Sequence, residues 1–309
     1  MKLRRLFGKA PLRAATYGVV PPAPEPNRAG LALVAIVKDE GPYIQDWLRF
    51  HALAGVRDFY IYDNGATDDT VAQATAVAGL NVRVIPWRLQ GQFHAPDVDF
   101  SRQVLAYGHA VENFGGAYRW MSFIDIDEYL VPKTAPTLTA ALSGLQDQTN
   151  VSLPWTMYGP DGHDAMPADL ATPFAYTTRA QTRAAPLLNF KAILDPCDLT
   201  DLRVHRSGTR SAGWTSVNDR GKPAHYKARH AADFLSDGNI QLNHYYTRSY
   251  GEMHAKLDKG AVSGSPMDKR RGHVLEKLKV IEETAIKDAC AIDFLHRHGI
   301  ETTAALRAL

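Results

Sequence analysis

Phe123-Ile124-Asp125-Ile126-Asp127-Glu128-Tyr129 is the stretch on which the fold turns. It completes an apolar run that begins at Trp120, so a strand ends where two carboxylates follow at positions i and i+2. Short apolar runs without polar alternation belong to parallel strands covered on both faces. Toward the N-terminus the same unit recurs. Leu31 to Val37 is a continuous apolar run, and Gly41-Pro42 opens a helix carrying Tyr43, Ile44, Trp47, Leu48 and His51 at helical spacing until Gly55. Phe59 to Tyr62 gives a second strand ending at Asp63-Asn64-Gly65, and Thr67-Asp68-Asp69-Thr70 caps a helix through Ala78. Asn81 to Trp87 and Ser101 to Phe114 add a strand and a helix before Trp120. Strands alternating with helices over short links imply right-handed crossovers and an open, mostly parallel twisted sheet flanked by helices, an α/β fold.

The second half is less regular. Val151–Tyr158 and Phe174–Arg179 look strand-like, Asp195 to Asp237 is polar, and Asn239 to Tyr246 reads as one more strand. Val274, Leu275, Leu278, Ile281 and Ile286 suggest C-terminal helices. Pro21, Pro22, Pro24 and Pro26 make residues 14–30 an extended linker. No internal repeat is visible, so residues 1–30 read as a basic, Pro-rich tail and 31–309 as a single domain.

The 309 residues are 45% hydrophobic and 22% charged, which suits a globular chain large enough to form its core without disulfides. A net charge of +2 gives no sign of a nucleic-acid partner. Cys197 and Cys290 have no paired spacing, so a reducing, cytoplasmic setting is expected. No apolar run reaches the ~20 residues of a membrane span. Lys2, Arg4, Arg5, Lys9 and Arg13 form a basic leader, read as frayed, with weak peripheral contact to anionic lipid as its functional alternative.

Two neighbouring carboxylates at a strand's carboxyl end suit Mg²⁺ or Mn²⁺, ions that complete their shells with substrate phosphates and assist a departing diphosphate. Val37, Lys38 and Glu40 end the first strand, and Asp63 and Asn64 end the second. Such groups can grip a base and ribose, although Asp63-Asn64-Gly65 also suits a plain turn.

Taken in order, these stretches resemble the nucleotide-binding half of a GT-A glycosyltransferase, closest to glycosyltransferase family 92 and its bacterial family-2-like relatives. The matches are Ala35 to Glu40, Asp46-Trp47 with His51 and Gly55, Phe59 to Asn64, Gln103 with Trp120, and Phe123 to Tyr129. Trp155 to Gly159 with Gly162-His163 resembles the acceptor-side glycine loop, and Phe190 to Ile193 the Lys-x-Ile segment. His244-Tyr245-Tyr246, Ser249, Glu252, Lys256 and Gly260 resemble the C-terminal block. The resemblance implies a catalytic domain with a nucleotide-binding half at 31–132, an acceptor-side half at 133–262 and helices at 263–309. It implies a UDP-sugar donor, a glycan or lipid-linked acceptor, and Mn²⁺ or Mg²⁺ held by Asp125, Asp127 and His244. Lys191 and Lys256 would offset diphosphate charge. An inverting transfer needs one carboxylate base, for which Asp161, Asp164 and Glu252 are candidates.

The competing readings are weaker. Tyr129 stands where a haloacid-dehalogenase-type phosphatase carries Thr or Val, and Val37 to Glu40 is not the Gly-rich loop of a nucleotidyltransferase. A non-catalytic nucleotide-sugar or carbohydrate-binding protein of the same fold is the alternative.

Overall fold

The computed structural model describes residues 12–14, 16–89, 98–258 and 267–309. The basic leader through Lys9 and the motif position Gly260 lie outside them. Ten strands form the main sheet. They are β1 Leu31–Val37, β2 Asp58–Asp63, β3 Asn81–Pro86, β4 Trp120–Phe123 and β5 Glu128–Pro132, then β6 Asn150–Met157, β7 Phe190–Leu194, β8 Thr215–Val217, β9 Pro223–His225 and β10 Ile240–His244. The order is β9-β8-β6-β7-β4-β1-β2-β3, and β10 joins β5 to β6. The β4-β1-β2-β3 half is parallel, as the alternation requires. Beyond β4 the sheet becomes mixed, because β7 runs antiparallel to both β4 and β6.

The continuous apolar character of β1 has a direct cause. Leu31, Leu33, Ala35 and Val37 enter one core, and Ala32 and Val34 enter the core on the opposite face. Helix α1, Gly41–Leu53, covers the first with Ile44, Trp47 and Phe50. Helix α3, Arg102–Phe114, covers the second with Val104, Tyr107 and Val111, and its N-cap Ser101 accepts from the Val104 amide. Helix α2, Thr70–Thr75, stops short of the expected Ala78.

The backbone aligns the carboxyl ends of the strands. The Asn64 amide donates to Val37 O at 2.9 Å, and the Ile124 amide to Val34 O at 3.2 Å. The acids that follow β4 therefore emerge beside the ends of β1 and β2. On the other side His244 pairs with Glu128 across β10 and β5, and the Tyr245 amide donates to Asp127 O at 2.8 Å.

Three stretches differ from the sequence reading. Thr172–Ala175 is a short helix with proline in its first turn, and the strand is confined to Thr178–Ala180. The polar stretch holds a hairpin, Leu199–Arg203 with Arg206–Thr209, as well as β8 and β9. The linker is extended but tied down: Tyr17–Gly18 adds a strand to that hairpin, Val19 is buried, and Arg28 grips Asp195 with both nitrogens. Toward the C-terminus follow α4 Tyr250–Asp258, α5 Met267–Glu283, α6 Cys290–Arg297 and α7 Thr303–Arg307. Among the described residues no helix is long and apolar enough to cross a membrane.

Candidate active site

The turn after β4 is built around Glu128, which is fully buried. One of its oxygens accepts the Asp125 amide at 2.8 Å, and the other accepts Trp155 Nε1 at 2.6 Å. Lys191, on β7, points its buried ammonium between Asp125 Oδ2 at 3.0 Å and Glu128 Oε2 at 3.3 Å. Burial opposes that charge, but Asp125 and Glu128 outweigh it and raise the lysine pKa. Gln103 on α3 donates to Asp125 Oδ1 at 2.9 Å. Asp125 is thus held on both oxygens, although a third of its side chain is exposed. The sequence reading matches Gln103 and includes Glu128 in the acidic stretch but gives neither a role, because the burial of Glu128 is set by Trp155 and Lys191 from distant parts of the chain.

Asp127 is nearly buried, with Lys256 Nζ 2.8 Å from Oδ2 and His244 Nε2 3.5 Å from Oδ1. Burial raises its pKa, but the Lys256 ammonium overrides this and holds the carboxyl well below the usual range. Burial also lowers the His244 pKa, leaving a neutral imidazole. Its Nδ1 is buried with no hydrogen-bond partner among the described residues.

The ends of β1 and β2 supply the adjoining wall. Asp63 Oδ1 accepts from the amides of Gly65 and Ala66 at 2.9 and 2.7 Å, so the turn reading holds for its side chain. Lys38 is exposed, and Glu40 accepts from Arg248 Nη1 at 3.1 Å. Arg248 has a φ of 50° and its guanidinium lies 3.4 Å from the Tyr43 ring centroid. No sequence signal marked this arginine.

Of the three candidate bases, Glu252 joins the cluster. It sits one helical turn before Lys256 on α4 and accepts from the hydroxyls of Tyr43, Tyr176 at 3.1 Å and Ser249 at 2.6 Å. Burial pushes its carboxyl up to about 7. Asp161 is engaged elsewhere, by the Thr177 amide and hydroxyl, the Thr178 hydroxyl and Lys287 at 3.0 Å. Despite burial, these donors bring it down to about 2. The Asp164 side chain is exposed, and its carbonyl accepts the Gly251 amide at 2.9 Å.

Among the described residues no group of three or more His, Cys, Asp or Glu side chains is gathered as a metal cluster. Beside the strand ends, Asp127 Oδ1 and His244 Nε2 stand 3.5 Å apart. A carboxylate oxygen and an imidazole nitrogen are donor types that a divalent ion accepts. Lysines hold Asp125 and Asp127 here.

Together these define an α/β protein with a lysine-compensated acidic cluster at the carboxyl ends of its parallel strands. The chain belongs to glycosyltransferase family 92, whose family model matches residues 37–282. It is similar to a glycosyltransferase family 92 protein of Ricinus communis, 27% identical over 169 residues, or 50% of this chain and 28% of the relative. A family 92 protein of Arabidopsis thaliana is 23% identical over 164 residues, 48% of this chain and 26% of that one. The chain therefore matches less than a third of the length of these relatives. Among solved structures, glucosyl-3-phosphoglycerate synthase from Mycobacterium tuberculosis, in complex with Mn²⁺, UDP-glucose and phosphoglyceric acid, gives a TM-score of 0.27 at 18% identity. That alignment covers 43% of this chain and 44% of that one.

Proposed function

We propose that this chain is a metal-dependent, inverting glycosyltransferase that moves a hexose from a UDP-sugar to a glycan or lipid-linked acceptor. The observation that carries the reading is Asp127 Oδ1 facing His244 Nε2 at 3.5 Å, with Asp125 two residues before it, where the turn after β4 emerges beside the ends of β1 and β2. In open α/β sheets such strand ends are where nucleotides bind. Residues 31–132 would take the donor and 133–262 the acceptor, in a cytoplasmic enzyme.

Asp125, Asp127 and His244 would hold Mn²⁺ or Mg²⁺, which when bound supplies Lewis-acid assistance to the departing diphosphate. Glu128, Lys191 and Gln103 fix the Asp125 carboxylate. Lys256, half exposed, can release Asp127 and turn toward the diphosphate. Asn64 and the loop shaped by Asp63 would face the base and ribose, with Val37 and Lys38 at the neighbouring strand end. Of the three candidate acids we assign Glu252 as the base, with an acceptor hydroxyl replacing one of the tyrosine hydroxyls on it. The experiment is UDP release from UDP-glucose, UDP-galactose and their N-acetyl and uronic forms, with and without Mn²⁺.

The lysine pairing of both acids favours one second reading, a nucleotide-sugar-binding protein without turnover. Binding of UDP-sugar without UDP release would support it.

A further inference from the structure

The hairpin Leu199–Arg203/Arg206–Thr209 brings an uncompensated positive region up to the carboxylate site. Its turn carries His205, whose ring packs edge-on against Trp155 at 5.1 Å. Trp155 in turn donates to Glu128 and lies 4.4 Å from His244, so the turn is one side chain removed from the acids. Arg203 and Arg206 face each other across the hairpin. Arg206 lies over the Tyr226 ring at 4.4 Å and Arg203 over the Trp214 ring at 5.9 Å. Both rings are half-buried, and they contact each other at 5.7 Å.

Beneath them lies Arg229, 5% exposed. It donates to Ser152 Oγ at 2.7 Å and to the His205 carbonyl at 3.1 Å, and its Nε is buried without a partner. Among the described residues none of these three arginines makes an ion pair with a carboxylate. Arg203 is held through Nε by the Thr16 hydroxyl, and Asp201 bears on it electrostatically without pairing. Burial, reinforced by Arg206, lowers the Arg229 pKa to about 10. A buried charge normally has a counter-charge, and a cationic wall without one attracts anions.

We propose that Arg203, Arg206, Tyr226 and Trp214 form an acceptor subsite for a saccharide carrying an oxyanion, with buried Arg229 supplying the field beneath it. The arginines would take a carboxylate or phosphate by charge-assisted hydrogen bonds, and the aromatic faces would take the sugar ring. This rests on the glycosyltransferase reading, because the position next to Trp155 is what makes the bound saccharide an acceptor.

The test is equilibrium binding by calorimetry to the full chain of three probes: a hexuronic-acid tetrasaccharide, a hexose 1-phosphate and a neutral tetrasaccharide. At least one anionic probe should bind at least about tenfold tighter than the neutral one, and which of them does so identifies the source of the oxyanion. Arg206→Gln should remove that preference, and Arg206→Lys should restore part of it. Equal binding of all three probes, or a preference unchanged in Arg206→Gln, overturns the subsite. UDP binding to the wild-type chain, measured separately, reports on the donor reading. A chain that binds UDP without anion preference loses the subsite alone, and one that prefers anions without binding UDP loses the donor reading alone.

Discussion

Lys191 and Glu128 share a buried ion pair, Nζ to Oε2 at 3.3 Å, with side chains 1% and 0% exposed. The same ammonium reaches Asp125, whose side chain is a third exposed, so one buried lysine serves two acids. Replacing it with Met should cost about 3–5 kcal/mol, because two carboxylates lose their counter-charge. Urea unfolding checks this; a change under 1 kcal/mol would show that the acids find other compensation.

Lys256 differs from Lys191, because its side chain is 54% exposed. Lys256→Met should cost less stability than Lys191→Met, because water reaches the lysine, although the nearly buried Asp127 loses its counter-charge. It should also strengthen binding of Mn²⁺ alone, since a cation competing for Asp127 has gone, and weaken binding of UDP. Calorimetry with each ligand reads both, and unchanged affinities would leave Lys256 as a surface charge.

Asp63 shapes its loop through two amides. Asp63→Ala should cost about 1–2 kcal/mol of stability and weaken UDP binding more than saturated turnover, while Asp63→Asn should retain most of both. If Ala and Asn behave alike, the Asx turn is irrelevant to the donor site.

Glu252 gives a pH dependence of definite sign. Burial raises its carboxyl to about 7 from the usual 4.5, so between those values the folded state keeps a proton that the unfolded chain has lost. Stability should therefore fall as pH rises from 4.5 to 7. Glu252→Gln should flatten the curve between pH 4.5 and 7. Unfolding midpoints at pH 5, 6 and 7 in both proteins decide it, and parallel curves would refute the assignment.

The parallel half of the fold was legible because burial on two faces writes itself into sequence: Leu31 to Val37 contains no polar residue. Asp125 and Asp127 stand out in the sequence as two carboxylates directly after an apolar run, and the structure pairs each with a lysine. Glu128 stood in plain sight, yet its burial depends on Trp155 and Lys191, which no local pattern connects to it. Asp161 lies at a positive φ of 52° and is bound by Thr177, Thr178 and Lys287, a network assembled only by folding. The mixed half of the sheet escaped notice because strands such as Thr215–Val217 are too short to show a period.

An inverting displacement fixes the product's stereochemistry. From an α-linked UDP-hexose the new bond should be β, readable from the anomeric proton coupling by NMR. An α-linked product would remove both the single displacement and the need for a base at Glu252.

The most direct measurement is Mn²⁺-stimulated UDP release from UDP-hexoses by the wild-type chain and by Asp127→Ala. Asp127 pairs with a half-exposed lysine, so its loss should leave the fold intact. The wild type should show stimulated release and the variant a loss of at least ~10²-fold, as for a ligand removed from a metal–diphosphate site. Near-normal release by a folded Asp127→Ala protein, or none by the wild type from any UDP-hexose, would contradict it.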